Sequence, residues 1–433
     1  MLTIAIWSLP TAICVILGWH SRRNIQRLAS AFGVFLMSIL AWYAIELLVF
    51  PVAIQQYTDE QIMYAVGCVA LCLTGFLAGY LLPTKHPPAG TSTKRWIDLL
   101  DNPDYVWNVF LFLTLVGIVP LLWIAKGNLL VIFEDAFLPR KRWSSMFQRA
   151  RYGDVRDAIL ELQMFLRAAV IPACIVIFSS LRWQSLFRKC TAAIIVAYAI
   201  ARALNDGARI SVIEVTMPVA ASLYWITPSK GRSWFLLFGA PTIAAIGIVW
   251  AVATVVGRDE GKFEWKMAAE ARYTGFEMSR ELLFLTGNVP DNFPYQWGKT
   301  YWAQLINPIP RFVWAAKPSL DAGLQLARLQ GQVINDEPKL TVAPGLIGEM
   351  YWNFGLPGIV FISIGIGWLA CRWDQFGSLQ TDSLPRFLIF ASGLGIIFAS
   401  GRSINMSCFY SLIALYATIQ GANYWIKTPR CLI

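Results

Sequence analysis

Charged side chains interrupt the apolar stretches of this chain at only a few positions. Six lie within stretches long enough to cross a membrane: Glu46, Glu161, Arg167, Arg202, Glu214 and Glu349. Three more lie in very short turns between such stretches: Asp206, Arg209 and Arg402. Ionisable residues inside membrane segments are costly and usually functional, so these positions are the first candidates for a site. The alternative is that some of them only reach the interface or pair with one another.

These residue types suit a phosphorylated substrate and a proton transfer. A guanidinium group is planar and binds in a bidentate manner, which suits a pyrophosphate group. Stabilising the charge on a departing pyrophosphate is the main electrostatic task in glycosyl transfer from a polyprenyl diphosphate. A carboxylate could take the proton from an acceptor sugar hydroxyl, and Glu349 and Asp206 are the best placed. Glu349 could equally pair with a neighbouring arginine.

The composition indicates which elements must position these residues. Of the 433 residues 57% are apolar and 14% are charged, and the mean hydropathy is +0.53. A soluble protein has about 25% charged residues, so a soluble chain is excluded. We therefore expect an all-α polytopic membrane protein, with residues 1–433 as a single integral membrane domain. The sequence has no Asp-x-Asp, no outer histidine and no phosphate-binding glycine loop, so it predicts no metal, no cofactor and no nucleic-acid partner.

The apolar stretches predict about eleven transmembrane helices, since a span needs about 20 mostly apolar residues. The predicted spans are 2–19, 31–50, 62–82, 105–125, 159–181, 191–204, 209–227, 233–255, 344–370, 386–400 and 403–425.

Lysine and arginine in the short loops predict the orientation. The bases cluster after odd-numbered spans, as at Arg22, Arg23 and Arg27, and the C-terminal tail holds Lys427 and Arg430. Positively charged loops face the cytoplasm, so the N-terminus is predicted outside and the C-terminus inside.

Two predicted outer segments are long. Residues 126–158 form a basic outer loop with seven bases and four acids, against the usual charge rule. This loop is a tolerated exception, a headgroup-binding segment or part of a site for an anionic, phosphorylated substrate. Residues 256–341 form a large outer (periplasmic) loop between the eighth and ninth spans.

The large loop is predicted to contain amphipathic helices. Residues 264–285 predict a helix at the membrane surface, with Arg272 and Arg280 among its polar positions. Ser319 is a candidate N-cap for a short helix that ends at Leu329.

Three pieces of the chain resemble a known family. They are Phe293-Pro-Tyr-Gln-Trp-Gly298-Lys-Thr-Tyr301, Pro308-Ile-Pro-Arg311-Phe-Val-Trp314-Ala-Ala-Lys317-Pro318 and Gly348-Glu349-Met-Tyr351-Trp-Asn353-Phe-Gly355. Together with the Gly207-Ala-Arg209 turn and one large late loop, they resemble bacterial oligosaccharide repeat-unit polymerases of the O-antigen polymerase (Wzy) type. The second piece could also be a rigid structural loop, because proline fixes φ and tryptophan anchors at interfaces.

The resemblance implies a GT-C-like membrane glycosyltransferase of the bacterial inner (plasma) membrane, whose active site faces the periplasm. It would transfer a growing glycan from undecaprenyl diphosphate onto an incoming lipid-linked repeat unit, without a metal. The implied partners are the lipid-linked oligosaccharide, the bilayer and, as a further candidate, a chain-length regulator protein.

The resemblance also assigns roles. Arg209, Arg311 and Lys317 bind diphosphate, and Glu349 acts at the acceptor or as the base. The matching pieces also contain Tyr301, Tyr351 and Asn353 as candidates for substrate binding. Position alone adds Arg402, Arg272 and Arg280, and Asp206 as a second candidate base.

Two other functions fit the layout less well. An O-antigen ligase shares it, but that family's usual outer-loop histidine is missing here. A lipid-linked oligosaccharide flippase or other transporter would place ionisable residues near the membrane midplane, often with inverted repeats. Here the charges cluster towards one face and no repeat is visible.

The orientation can be tested by cysteine labelling. A cysteine at Ser145 should react with a membrane-impermeant maleimide added outside the cell. A cysteine at Ser185 should react only from the inside. The parent chain measures the background from the native cysteines, and the reverse labelling pattern would contradict the predicted orientation.

Overall fold

The fold is known from a computed structural model. It describes residues 2–22, 24–44, 47–48, 56–82, 103–137, 161–179, 184–206, 209–227, 229–239, 242, 278–306, 309, 313–314, 316, 322–331, 333–334, 337–338, 342–378, 383–404 and 406–427.

Helices dominate these residues. In chain order they are α1 (Leu2–Ser21), α2 (Ala31–Ile39), α3 (Asp59–Leu81), α4 (Pro103–Ile124), α5 (Leu129–Phe137), α6 (Met164–Ala168), α7 (Val170–Phe178), α8 (Leu186–Asp206), α9 (Arg209–Ile226), α10 (Ser229–Trp234), α11 (Met278–Asn288), α12 (Lys299–Ile306), α13 (Ala322–Leu329), α14 (Leu346–Phe376), α15 (Leu384–Ser400) and α16 (Met406–Lys427). One two-residue antiparallel pair, β1 (Val333–Ile334) and β2 (Glu337–Pro338), lies in the large loop.

The apolar helices are of the membrane type. Three of them are long and apolar enough to cross a membrane by length and composition: Asp59–Leu81, Asp104–Ile124 and Leu346–Phe376. Five shorter apolar helices accompany them in the described part of the chain. A mostly helical, membrane-associated architecture is therefore confirmed. Described helical residues also lie within the predicted spans, in the eighth only at residues 233–239 and 242, but eleven crossings and their orientation stay predictions.

The described helices form two large apolar cores and a small third one between α7, α8 and α9. The first core joins α1, α2 and α3 with α11, α13 and α14. The second core joins α4 to α9 with α15 and α16. The ninth predicted span, α14, thus packs in the same core as two helices of the large outer loop.

Small residues allow α3 and α14 to pack closely. Gly75 and Gly79 on α3 face Ser363 and Gly367 on α14, and each helix carries its small residues four positions apart. A methyl group at Gly79 would overlap the carbonyl of Ile364, so the backbones touch there. Such small-residue faces let membrane helices approach closely and gain dispersion contacts.

Only residues 278–285 of the predicted surface helix over residues 264–285 are described, and these differ from the prediction. The described part, α11, begins at Met278 and continues to Asn288. Its apolar residues Leu282, Leu283 and Leu285 are buried in the first core, between α3 and α14. Its apolar face therefore packs on protein and not along a membrane surface. The short helix α13 does end at Leu329 as predicted, while its predicted cap Ser319 lies outside the described residues.

The α3–α14 contact predicts a contrast between two glycines of one helix. Gly79→Ala should lower the stability by about 1–3 kcal/mol, because the added methyl group has no room and the helices must separate. Gly67→Ala is the matched control, since nothing lies within 4 Å of a Cβ at that position. Thermal unfolding of the purified protein in detergent measures both. Equal midpoints for the two variants would contradict the close contact.

Candidate functional site

Glu349 is a buried carboxylate in the first turn of α14. Its side chain is 1% exposed, and its N–H donates to the Gly345 carbonyl at 2.9 Å. Neither carboxylate oxygen has a hydrogen-bond partner among the described residues. The Thr300 hydroxyl and the Ile404 backbone N–H face the charge, but not with hydrogen-bond geometry. The alternative of an ion pair with an arginine is thus not formed by any arginine that the structure describes.

A break in α14 lies between Glu349 and the rest of this long helix. Gly355 has φ +64° and ψ −152°, a conformation that is essentially restricted to glycine. Two residues later Pro357 has no N–H to donate. The carbonyls of Trp352 and Asn353 therefore lose their partners within the helix, since these would be the N–H groups four residues on.

The large outer loop supplies the missing donors. Gln296 N–H donates to the Trp352 carbonyl at 2.9 Å, and Trp297 N–H donates to the Asn353 carbonyl at 3.1 Å. The first and third pieces of the family resemblance are thus bonded to each other through their backbones. Buried carbonyls need such partners, so the break and the loop depend on one another.

Asn353 connects this loop to the turn that carries Glu349. Its amide nitrogen donates to Thr300 Oγ1 at 2.7 Å and to the Glu349 carbonyl oxygen at 2.8 Å. Its amide oxygen accepts from Gly298 N–H at 2.9 Å. Because the amide is fully occupied, Asn353 is a positioning residue, which holds Thr300 beside the carboxylate.

Tyr301 is the second polar group of the site. Its ring stacks on Phe354 with centroids 6.4 Å apart, and its hydroxyl is buried with no described hydrogen-bond partner. Burial raises the pKa of Tyr301 well above its ordinary value, and the Glu349 carboxylate and the Tyr43 hydroxyl raise it further. The hydroxyl therefore stays neutral at physiological pH and can donate a hydrogen bond.

The turn between α15 and α16 lies against the same end of α14. Leu346 N–H donates to the Gly401 carbonyl at 3.2 Å, and Ile404 follows two residues after Arg402. The Arg402 guanidinium is half-buried, 5.9 Å from the centroid of the Trp42 ring. The Arg402 turn and the Glu349 turn therefore lie at the same end of α14, and the role of Arg402 in the site stays a prediction.

Five of the remaining predicted residues have no described side-chain contacts. Arg272, Arg311 and Lys317 lie outside the described residues. Asp206 ends α8 and Arg209 begins α9, which agrees with the predicted tight turn, but their side chains are not described. These two helices belong to the second core, and no contact of either residue with Glu349 is described.

The other two predicted residues make contacts that bear on their roles. Arg280 on α11 faces the Tyr57 hydroxyl just before α3. Tyr351 is buried, and its hydroxyl donates to the Val289 carbonyl at 3.2 Å. Tyr351 therefore joins α14 to the end of α11, and its predicted part in substrate binding has no free hydroxyl to support it.

Sequence reasoning missed Thr300, Trp297 and Gly298 as parts of the site. The signal for them was Gly355 followed by Pro357 inside an apolar stretch, a combination that breaks a helix and frees carbonyls. The sequence offers no comparable signal for which loop donates to those carbonyls.

No protein-family model, curated protein or solved structure matches this chain.

The hydrogen bonds of Asn353 predict the effect of replacing its amide nitrogen by an oxygen. Asn353→Asp replaces the amide donor by a second buried acceptor beside Thr300 and the Glu349 carbonyl. We expect a loss of about 1–3 kcal/mol in stability, the cost of buried polar groups without partners. Asn292→Asp is the matched control, because Asn292 is exposed and bonds only locally to Asn288. Thermal unfolding compares the two, and an unchanged midpoint for Asn353→Asp would show that the network is not needed.

Proposed function

We propose that this chain polymerises lipid-linked oligosaccharide repeat units. It transfers a growing glycan from undecaprenyl diphosphate onto the terminal sugar of an incoming lipid-linked unit, at the outer face of the inner membrane. The proposal includes a GT-C-like arrangement of about eleven spans, with the N-terminus outside and the C-terminus inside. It rests on the residue pattern and on the surroundings of Glu349.

The observation that carries the proposal is the buried Glu349 carboxylate, which no described arginine neutralises and which the Thr300 hydroxyl and the Ile404 N–H face without hydrogen-bond geometry. Leaving a charge or a polar group unpaired in a protein interior costs several kcal/mol in general, and almost all buried polar groups have partners. Here Glu349, the Tyr301 hydroxyl and the Trp352 indole N–H all lack one among the described residues. Such a cost is retained where a substrate supplies the partner.

The chemistry follows from the groups that are free. An acceptor sugar hydroxyl that enters beside Glu349 gives its proton to the carboxylate as its oxygen bonds to the anomeric carbon of the donor glycan. The bond from that carbon to the diphosphate breaks at the same stage. The neutral Tyr301 hydroxyl can orient the acceptor oxygen, and Asn353 keeps Thr300 in place.

The departing diphosphate needs positive charge. Arg209, Arg311 and Lys317 bind the diphosphate. Further positively charged residues of the outer face are Arg402, Arg272 and Arg280. Asp206 is the second candidate base, at the end of α8.

One observation favours an enzyme over a transporter. Transporters use broken membrane helices so that the unwound carbonyls coordinate ions or substrate. In α14 the carbonyls freed by the break are occupied by Gln296 and Trp297. The free group is instead the Glu349 side chain, which favours proton transfer over ion coordination.

A ligase would share this site and differ in its product, a single transfer instead of a polymer.

Glu349→Gln tests the proposal. The variant keeps the shape of the side chain and removes the charge, so we expect no polymer ladder from a lipid-diphosphate-linked repeat unit. The midpoint of thermal unfolding should be unchanged or higher, since an unpaired buried charge is removed. Glu60→Gln, at an exposed glutamate in the first turn of α3, is the matched control and should give a normal ladder. Normal polymer length from Glu349→Gln would contradict the assignment.

A further inference from the structure

Trp297 combines an unfavourable backbone with an exposed side chain. Its φ is +49°, in the left-handed region that bulky residues rarely adopt. The residue is nevertheless 71% exposed, so burial of the indole does not compensate for the strained conformation. The Lys299 N–H donates to the Gln296 carbonyl at 3.0 Å, so Trp297 and Gly298 are the central residues of a tight turn in which both have a positive φ. Glycine and asparagine are the usual residues at such positions, so a tryptophan there is unusual.

The site holds this conformation in place. Trp297 N–H bonds to the Asn353 carbonyl, and the next residue, Gly298, bonds to the Asn353 side chain. Two T-shaped ring contacts fix the indole, with Tyr295 at 5.8 Å and Phe354 at 6.5 Å between centroids. Most of the indole surface stays exposed. The residue to which Trp297 is bonded, Asn353, lies one helical turn after Glu349 on α14.

The surroundings of Trp297 suit a sugar better than a lipid chain. Asp291, Asn292 and Lys299 nearby in the chain are exposed, and Gln296 is half-buried. A set of further exposed apolar residues follows later in the chain, after the start of α12: Trp302, Leu305, Ile309, Val313 and Trp314. That set suits a membrane interface. An exposed aromatic ring in a segment of the chain with exposed polar residues suits a ligand that has both C–H faces and hydroxyl groups.

We propose that Trp297 is an aromatic platform on which a pyranose ring of the acceptor glycan stacks. The inference rests on the proposed function and adds a binding residue to the same site. The Asn353 network holds the indole and the Glu349 turn in one unit, so a sugar bound on the indole is directed towards the carboxylate. The hydrogen bonds from Trp297 and Gly298 to Asn353 hold the backbone conformation that leaves the indole exposed.

Binding of a free oligosaccharide tests the platform apart from catalysis. The probe is the oligosaccharide released by mild acid from the lipid extract of cells that carry this chain, which has no diphosphate and cannot polymerise. Isothermal titration with the full-length protein in nanodiscs should show that Trp297→Gly weakens binding about tenfold or more, as for an aromatic hot spot. Trp297→Phe should stay within about threefold, because a ring remains. Trp302→Ala, on the apolar set, should bind as the parent chain does.

Stability separates binding from a structural role. Glycine accepts a positive φ without strain, so Trp297→Gly should unfold at the same temperature as the parent or higher. A clear fall in the unfolding midpoint with unchanged binding would make Trp297 a structural anchor and overturn the proposal. Equal binding by Trp297→Gly, while the parent chain forms a ladder, would overturn the platform alone. Loss of binding in Trp297→Gly, while the parent forms no ladder, would support the platform and contradict polymerisation.

Discussion

The site depends on one constraint, that the carbonyls freed by the break in α14 must be hydrogen-bonded. In an apolar environment an unpaired carbonyl costs several kcal/mol in general, so irregular backbone persists only where protein groups satisfy it. Gly355 and Pro357 interrupt the hydrogen bonds of the helix, and the N–H groups of Gln296 and Trp297 bond to the carbonyls that are left free. These two hydrogen bonds join the large outer loop to the helix that carries Glu349.

Packing then makes the unit rigid enough to hold a buried carboxyl group that has no hydrogen-bond partner among the described residues. The close contact of α3 with α14 lies beyond the break, and α11 and the Gly401 turn hold the segment before it. Glu349 is thus kept in an enclosed place, where it cannot turn to solvent. Its neighbours supply few polar partners, so the fold bears a local cost at this position. A bound acceptor hydroxyl would remove that cost.

Much of the architecture could be predicted from the sequence, but only part of the site. Apolar stretches predicted where helices such as α3 and α14 lie, because apolar residues must leave water. The predicted ninth span ends at residue 370, shortly before the charged Arg372, whereas α14 continues to Phe376. In the structure Asp374 accepts from the N–H groups of Ala31 and Phe32 and caps α2. That contact joins residues over 340 positions apart, and no local pattern encodes it.

Glu349 was found because a charge in an apolar helix stands out, whereas its lack of partners is a property of the whole fold. The most direct measurement is an experimental structure of Glu349→Gln with the lipid-linked acceptor bound. We expect an acceptor sugar hydroxyl at about 2.6–3.2 Å from the side chain of residue 349, the range for proton transfer. An acceptor bound elsewhere, together with an arginine paired to Glu349 in the unsubstituted protein, would contradict the central claim.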